Sequence, residues 1–153
     1  MIGVSELTME QSGNKKEAMK AKKNQNTSVN KVKKVTKRVV IVEDDQELRE
    51  HMVRIFELGG YDVRGAADGM VALQCLQESP ADLVLTDVLM PQMDGFALAT
   101  HLEELYPDLP VVVMSGTRSH SAQFSGPSHP NVRKFLLKPI ALDVLIQTVL
   151  EII

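Results

Sequence analysis

The sequence predicts an α/β protein: a doubly wound parallel sheet of five strands with about five helices covering its two faces. Three observations predict it. The chain has 153 residues and is 44% hydrophobic, the size and apolar content of one domain plus a tail, which excludes a long multidomain enzyme. Short runs rich in Val, Ile and Leu alternate along it with segments whose apolar residues recur at helical spacing. Parallel strands need crossovers, and alternating helices supply them with the right-handed sense that such connections take.

Each element has a local reason. Residues 38–42 form a β-branched run suited to a buried strand, and 46–58 place Leu48, Met52, Ile55 and Phe56 on one helical face before Gly59-Gly60 stops it. Residues 61–66 make a second strand. Asp68 caps a helix that runs through Glu78 with Val71, Leu73 and Leu76 on its face, and Pro80 ends it. Residues 81–86 are a third strand, and the loop 91–95 leads to a helix ending near Tyr106, ahead of Pro107. Residues 110–114 are the fourth strand, 133–137 the fifth, and 141–153 the last helix. Between Ser115 and Phe135 the turn formers and two prolines predict a short or displaced helix at about 118–125, followed by an irregular loop.

Charge divides the chain near residue 37. Residues 1–37 carry nine Lys and three Glu, a net of +6, whereas 38–153 carry eight Lys and Arg against seventeen Asp and Glu, a net of −9. The basic segment has few large apolar residues and reads as a disordered tail. It is a solubilising leader, a stretch ahead of a later start at Met9 or Met19, or an arm that attracts nucleic acid, anionic lipid or an acidic partner by charge. No aromatic side chain interleaves its lysines to stack on bases. Cys75 is the sole cysteine, so no internal disulfide forms. With neither a secretory signal nor an apolar run of membrane-spanning length, the sequence predicts a soluble, cytoplasmic protein.

Ligands of doubly wound sheets bind beyond the carboxyl ends of the strands. Glu43, Asp44 and Asp45 follow the first strand, Asp87 the third, Ser115 the fourth and Lys138 the fifth. Clustered carboxylates repel unless a cation neutralises them, and an all-oxygen set suits Mg²⁺ or Mn²⁺. Lys138 can then pair with Asp87 and with the oxygens of a phosphoryl group attached there, while Ser115 donates a hydrogen bond.

The segments Val42-Glu43-Asp44-Asp45, Leu85-Thr86-Asp87-Val88-Leu89-Met90-Pro91-Gln92-Met93-Asp94-Gly95, Met114-Ser115-Gly116 and Phe135-Leu136-Leu137-Lys138-Pro139 resemble, in order and spacing, the receiver domain of bacterial two-component response regulators. The resemblance covers about residues 38–153 and implies a flavodoxin-like sheet of strand order 2-1-3-4-5. It implies that Asp87 accepts a phosphoryl group from a phosphohistidine of a histidine kinase or phosphotransfer protein. It also implies that Glu43, Asp44, Asp87 and the main-chain carbonyl of Leu89 hold Mg²⁺, and that Ser115 and Lys138 contact the phosphoryl oxygens. Phe135 then turns inward as the switch, where the family often has Tyr. Leu89 and Thr117 flank the acceptor and govern access of water, and an apolar Leu89, unable to orient a water, implies slow to moderate self-dephosphorylation.

Other readings stand beside these. Asp45 is better suited to capping the first helix than to a metal. Asp94-Gly95 reads as a turn and Pro91 as a shaping residue. Phe135 reads equally as ordinary core. His101 belongs to a solvated helix face, and His51, His120 and His129 lack metal-ligand spacing. Cys75 reads as a buried thiol. A phosphatase with Asp87 as turnover nucleophile needs a carboxylate two residues later, where Leu89 stands. The expected protein is therefore a stand-alone receiver that acts through an unspecified downstream protein. A receiver-like scaffold that binds a partner without phosphorylation, and a tail-mediated nucleic-acid binder, are the alternatives.

Overall fold

The strands owe their position to unbroken apolar sequence. In the computed structural model, which describes residues 34–124 and 129–153, β1 (Arg38–Val42), β2 (Asp62–Ala66), β3 (Leu83–Asp87), β4 (Val111–Ser115) and β5 (Val132–Leu137) form one parallel sheet in the order β2-β1-β3-β4-β5. The central pairings β1–β3 and β3–β4 bring Val42 beside Thr86 and Asp87 beside Met114. Successive residues of these strands face opposite layers. Val40, Val42, Val84, Val111 and Val113 pack on one side, and Val39, Ile41, Leu83, Leu85, Val112 and Met114 on the other. A strand buried on both faces has no polar side to spare, which is why these runs read as continuously apolar.

Helices α1 (Gln46–Leu58) and α5 (Leu142–Ile152) bury Met52, Phe56, Leu145 and Val149 on one face of the sheet. Helices α2 (Gly69–Glu78) and α3 (Gly95–Leu105) bury Ala72, Leu76, Leu98, Ala99 and Leu102 on the other. Full burial of a Leu or Val side chain contributes about 1.5–3 kcal/mol before ordering costs are counted. Three aspartates start three helices: Asp45, Asp68 and Asp94 accept the amides of Leu48, Val71 and Ala97 at 3.0, 3.0 and 2.9 Å, a cap worth about 1 kcal/mol each. At the far end of α1, Gly60 takes a φ of 91° while Gly60 and Tyr61 donate to the carbonyls of Glu57 and Phe56. That left-handed turn favours glycine.

The segment after β4 forms a 3₁₀ turn at Arg118–His120 and then α4, a single turn over Ser121–Phe124, in agreement with the short fourth helix expected. Three details of the sequence reading need correction. Val71 and Leu73 are half-buried and pack against the core from its margin, whereas Ala72 and Leu76 are buried in it. Leu48 is exposed. β3 begins at Leu83 because Asp82 is spent on the strand edge, its carboxylate accepting the amide of Arg38 at 2.8 Å. Residues Thr36–Ile153 constitute one unit. The disordered-tail expectation for 1–37 falls almost wholly on residues 1–33, which lie outside the described residues, as do 125–128.

Asp94-Gly95, read from sequence as a turn, sits against the end of β3. Gly95 donates its amide to the carbonyl of Val88 at 2.8 Å, and a Cβ at Gly95 would meet the carbonyl oxygen of Asp87 at 2.4 Å and the Cα of Val88 at 2.9 Å. Backbone cannot yield as a flexible side chain can. We therefore expect Gly95→Ala to destabilise the domain by about 1–3 kcal/mol in urea denaturation, whereas Gly116→Ala, with nothing within 4 Å of the added methyl, changes stability by less than about 0.5 kcal/mol. Equal midpoints for the two variants would contradict this packing.

Candidate functional site

Main-chain hydrogen bonds carry the parallel ladder one residue past the strand ends. Glu43 donates its amide to the carbonyl of Ala66 at 3.0 Å, Val88 to that of Met114 at 3.2 Å, and Lys138 to that of Ser115 at 2.8 Å. These bonds bring Glu43, Asp87, Ser115 and Lys138 to one edge, as expected from their places after the strands.

The Lys138 ammonium bridges two of them. Its Nζ lies 2.8 Å from Oδ2 of Asp87 and 3.0 Å from Oε2 of Glu43. The other oxygen of Asp87 accepts the amide of Val88 at 2.7 Å, so both carboxylate oxygens are held. Glu43 is 2% exposed, whereas Asp44 is exposed. Burial pushes the Glu43 carboxyl above the usual carboxylate range; the Lys138 hydrogen bond and charge pull it back, and the Asp87 charge adds to the rise. For Lys138 burial works downward, yet the hydrogen bonds and charges of Asp87 and Glu43 outweigh it and hold the ammonium above the ordinary lysine range. The Lys138–Pro139 peptide is cis.

Glu43, Asp44 and Asp87 offer oxygen atoms all within 4.8 Å of one another. Three carboxylates against one ammonium leave negative charge unbalanced, and an oxygen-only donor set of this kind fits a hard divalent cation. Arg49, which the sequence did not single out, fixes the loop that carries two of these groups: its Nη1 donates to the carbonyl of Glu43 at 2.7 Å and lies 3.4 Å from that of Asp44. Asp45 is spent on its helix cap, as its sequence position suggested.

The remaining expected residues are more dispersed. Leu89 is exposed on the loop after β3. The Thr117 hydroxyl is engaged locally, accepting the Ser119 amide at 3.2 Å and meeting the Ser119 hydroxyl at 2.6 Å. Phe135 is half-buried against the α2–α3 core. Ser115 is buried, and its Oγ bonds Nδ1 of His120 at 2.8 Å, a partner that sequence reasoning passed over. His101 is exposed on α3, as expected. Cys75 is half-buried rather than buried, and burial raises its pKa. An apolar groove of about 590 Å³ between α1 and α5 is lined by Leu48, Ile55, Pro139, Ile140 and Leu142 and reaches Lys138. Among the described residues no helix is long and apolar enough to cross a membrane.

Comparison with known proteins gives the same class. The family model described as the response regulator receiver domain matches residues 39–150, and the chain belongs to that family. It is 35% identical over 113 residues to the response regulator receiver protein CpdR of Brucella abortus, covering 74% of this chain and 93% of the relative. It is 34% identical over 109 residues to the response regulator MprA of a Mycobacterium species, covering 71% of this chain but 47% of MprA, so the chain spans about half the length of that relative. The high-resolution structure of the chemotaxis response regulator CheY4 of Vibrio cholerae superposes with a TM-score of 0.70 at 26% identity, over 78% of this chain and all of CheY4. TrrA of Thermotoga maritima, in complex with Mg²⁺-BeF, shares the fold with a TM-score of 0.70 at 22% identity, over 77% of this chain and all of TrrA.

The bridge predicts a measurable asymmetry. Removing Lys138 leaves two close carboxylates uncompensated, so Lys138→Ala is expected to cost about 1–3 kcal/mol in urea denaturation, less than a fully buried pair because the ammonium is partly exposed. Adding Asp87→Asn recovers part of that loss by removing one of the repelling charges. Additive effects in this double-mutant cycle would count against electrostatic coupling at the site.

Proposed function

We propose that the domain is a phosphoacceptor switch in which Asp87 takes a phosphoryl group from a phosphohistidine of a histidine kinase or phosphotransfer protein. The observation that carries this reading is the Lys138 bridge between Glu43 and Asp87 at adjacent strand ends, an ammonium already seated where negative charge will accumulate. Phosphoryl transfer needs charge neutralisation and in-line positioning more than covalent help from surrounding groups. A carboxylate oxygen of Asp87 attacks phosphorus; the new P–O bond forms as the P–N bond breaks, and the imidazole nitrogen leaves with the electron pair. Lys138 exchanges its contact with Oδ2 for a phosphoryl oxygen, and the Ser115 hydroxyl donates to another.

Glu43, Asp44, Asp87 and the main-chain carbonyl of Leu89 are the proposed ligands of Mg²⁺ or Mn²⁺, which when bound supplies neutralisation of the phosphoryl oxygens. The acidic cluster supports this ligand set, and TrrA, alike in fold, carries Mg²⁺-BeF. Inward movement of Ser115 lets Phe135 complete its burial and changes the surface offered to a downstream protein. The groove between α1 and α5 ends at Lys138, in contact with Asp87, which favours it as the surface that receives the phosphodonor. The domain thus catalyses only its own phosphorylation and dephosphorylation. A stand-alone arrangement belongs to the same proposal and is supported by the match along 93% of CpdR; a cytoplasmic location is proposed with it.

Incubation with acetyl phosphate or phosphoramidate and Mg²⁺ is expected to add the mass of one phosphoryl group, and Asp87→Asn to abolish the gain. No gain from any donor would favour a scaffold that binds its partner without phosphorylation. Exposed Leu89 offers no polar group to orient water, so the phosphoryl group is expected to outlast a half-life of seconds in the absence of a phosphatase; decay within seconds would contradict that role for Leu89.

A further inference from the structure

Ser115 has one hydroxyl proton, and the atoms around its Oγ restrict where that proton can go. The Oγ atom accepts the amide of Thr117 at 3.2 Å. Its two neighbouring acceptors are Nδ1 of His120 at 2.8 Å and the carbonyl oxygen of Thr117 at 3.4 Å. A protonated Nδ1 would give Oγ two donors and leave its own proton only the long contact to Thr117, so the short bond is satisfied best when Ser115 donates and Nδ1 accepts. The imidazole is held for this purpose from two sides. Its ring stands edge-on to Phe96, with centroids 5.6 Å apart and planes at 89°. The 3₁₀ turn that carries it is capped by Thr117 and closed by the Ser121 hydroxyl, which donates to the carbonyl of Arg118 at 2.7 Å.

We infer that His120 is a positioning residue that latches Ser115 in the unphosphorylated protein. This rests on the reading of Asp87 as phosphoacceptor and of Ser115 as a donor to its phosphoryl group. While Nδ1 holds the proton of Ser115, that proton is not available to a phosphoryl oxygen. Phosphorylation must break the Ser115–His120 bond or reverse its sense, and either change is felt by the turn and by α4. His120 therefore links the state of the acceptor to the 3₁₀ turn and the single helical turn that follow β4.

Two measurements on the full chain test the latch. Long-range ¹H–¹⁵N spectra of the wild type, recorded at about pH 8, are expected to show His120 Nδ1 as an unprotonated, hydrogen-bonded nitrogen. Addition of Mg²⁺ with beryllofluoride, a phosphoryl mimic, is expected to shift that resonance as the bond is lost or reversed. In kinetics, His120→Phe keeps an aromatic edge for Phe96 but has no acceptor, and is expected to speed phosphoryl uptake from acetyl phosphate by roughly two- to tenfold, the worth of one neutral hydrogen bond. His120→Asn, which can return an acceptor oxygen near the Nδ1 position, is expected to bring the rate back toward that of the wild type. An unmoved Nδ1 resonance in a wild type that does take up the phosphoryl group, or equal uptake by wild type and His120→Phe, overturns the latch alone. A wild type that takes up no phosphoryl group overturns the reading of the acceptor and the latch with it. The spectra use the wild type only, so the test holds even if a variant fails to fold.

Discussion

Three carboxylates held at one edge of a sheet repel one another, and the placement of the Lys138 ammonium between two of them is the constraint on which the site depends. Glu43 is almost wholly buried and Asp87 mostly so, and each lies within 3.0 Å of Nζ. The bridge ties the ends of β1, β3 and β5 together across β4, which contributes through the Ser115 carbonyl that holds the Lys138 amide. Charge and backbone thus reinforce each other. The lysine cannot leave Asp87 without another anion to meet, and a phosphoryl group on Asp87 is such an anion.

The rest of the fold serves to hold these ends in register. Strands buried on both faces have little freedom to slip, because a one-residue shift would exchange the residues of the two apolar layers. Gly95 lets α3 start directly against the main chain of Asp87, and Arg49 pins the carbonyls of the loop that carries Glu43 and Asp44. The segment after β4 has, among the described residues, a 3₁₀ turn and a single turn of helix in place of a long helix. It is also where the site hydroxyl finds its partner. A site carboxylate held on rigid strands beside a short, irregular turn is an arrangement in which, on the proposed function, a small change at Asp87 can be passed to the surface.

Much of this was legible in the sequence because the signals were strong and local. Uninterrupted Val, Ile and Leu marked β1, β3 and β4; aspartates marked the starts of α1 and α2, while Asp94, read as part of a turn, caps α3; and residues just past the strands had to share one edge if the sheet was parallel. That reasoning found Glu43, Asp44, Asp87, Ser115 and Lys138. It missed contacts set by tertiary approach. The Gly95–Asp87 packing depends on a helix meeting a strand, and the Arg49 contacts depend on a loop folding back over α1. His120 stands five residues after Ser115 in a stretch of turn formers, and nothing in that spacing shows an imidazole returning to the hydroxyl. Phe135, half-buried, keeps features of both readings the sequence offered.

The central claim is that Asp87, Lys138 and the acidic pair form one receptacle for a cation and a phosphoryl group together. Thermal unfolding of the full chain with Mg²⁺, with beryllofluoride, and with both tests it most directly. The account predicts that the two together raise the midpoint well beyond either alone, in line with about 2.7 kcal/mol for a ligand at a hundredfold excess over its dissociation constant, and that Asp87→Asn loses the joint effect. A midpoint that is the same with both as with Mg²⁺ alone would contradict it.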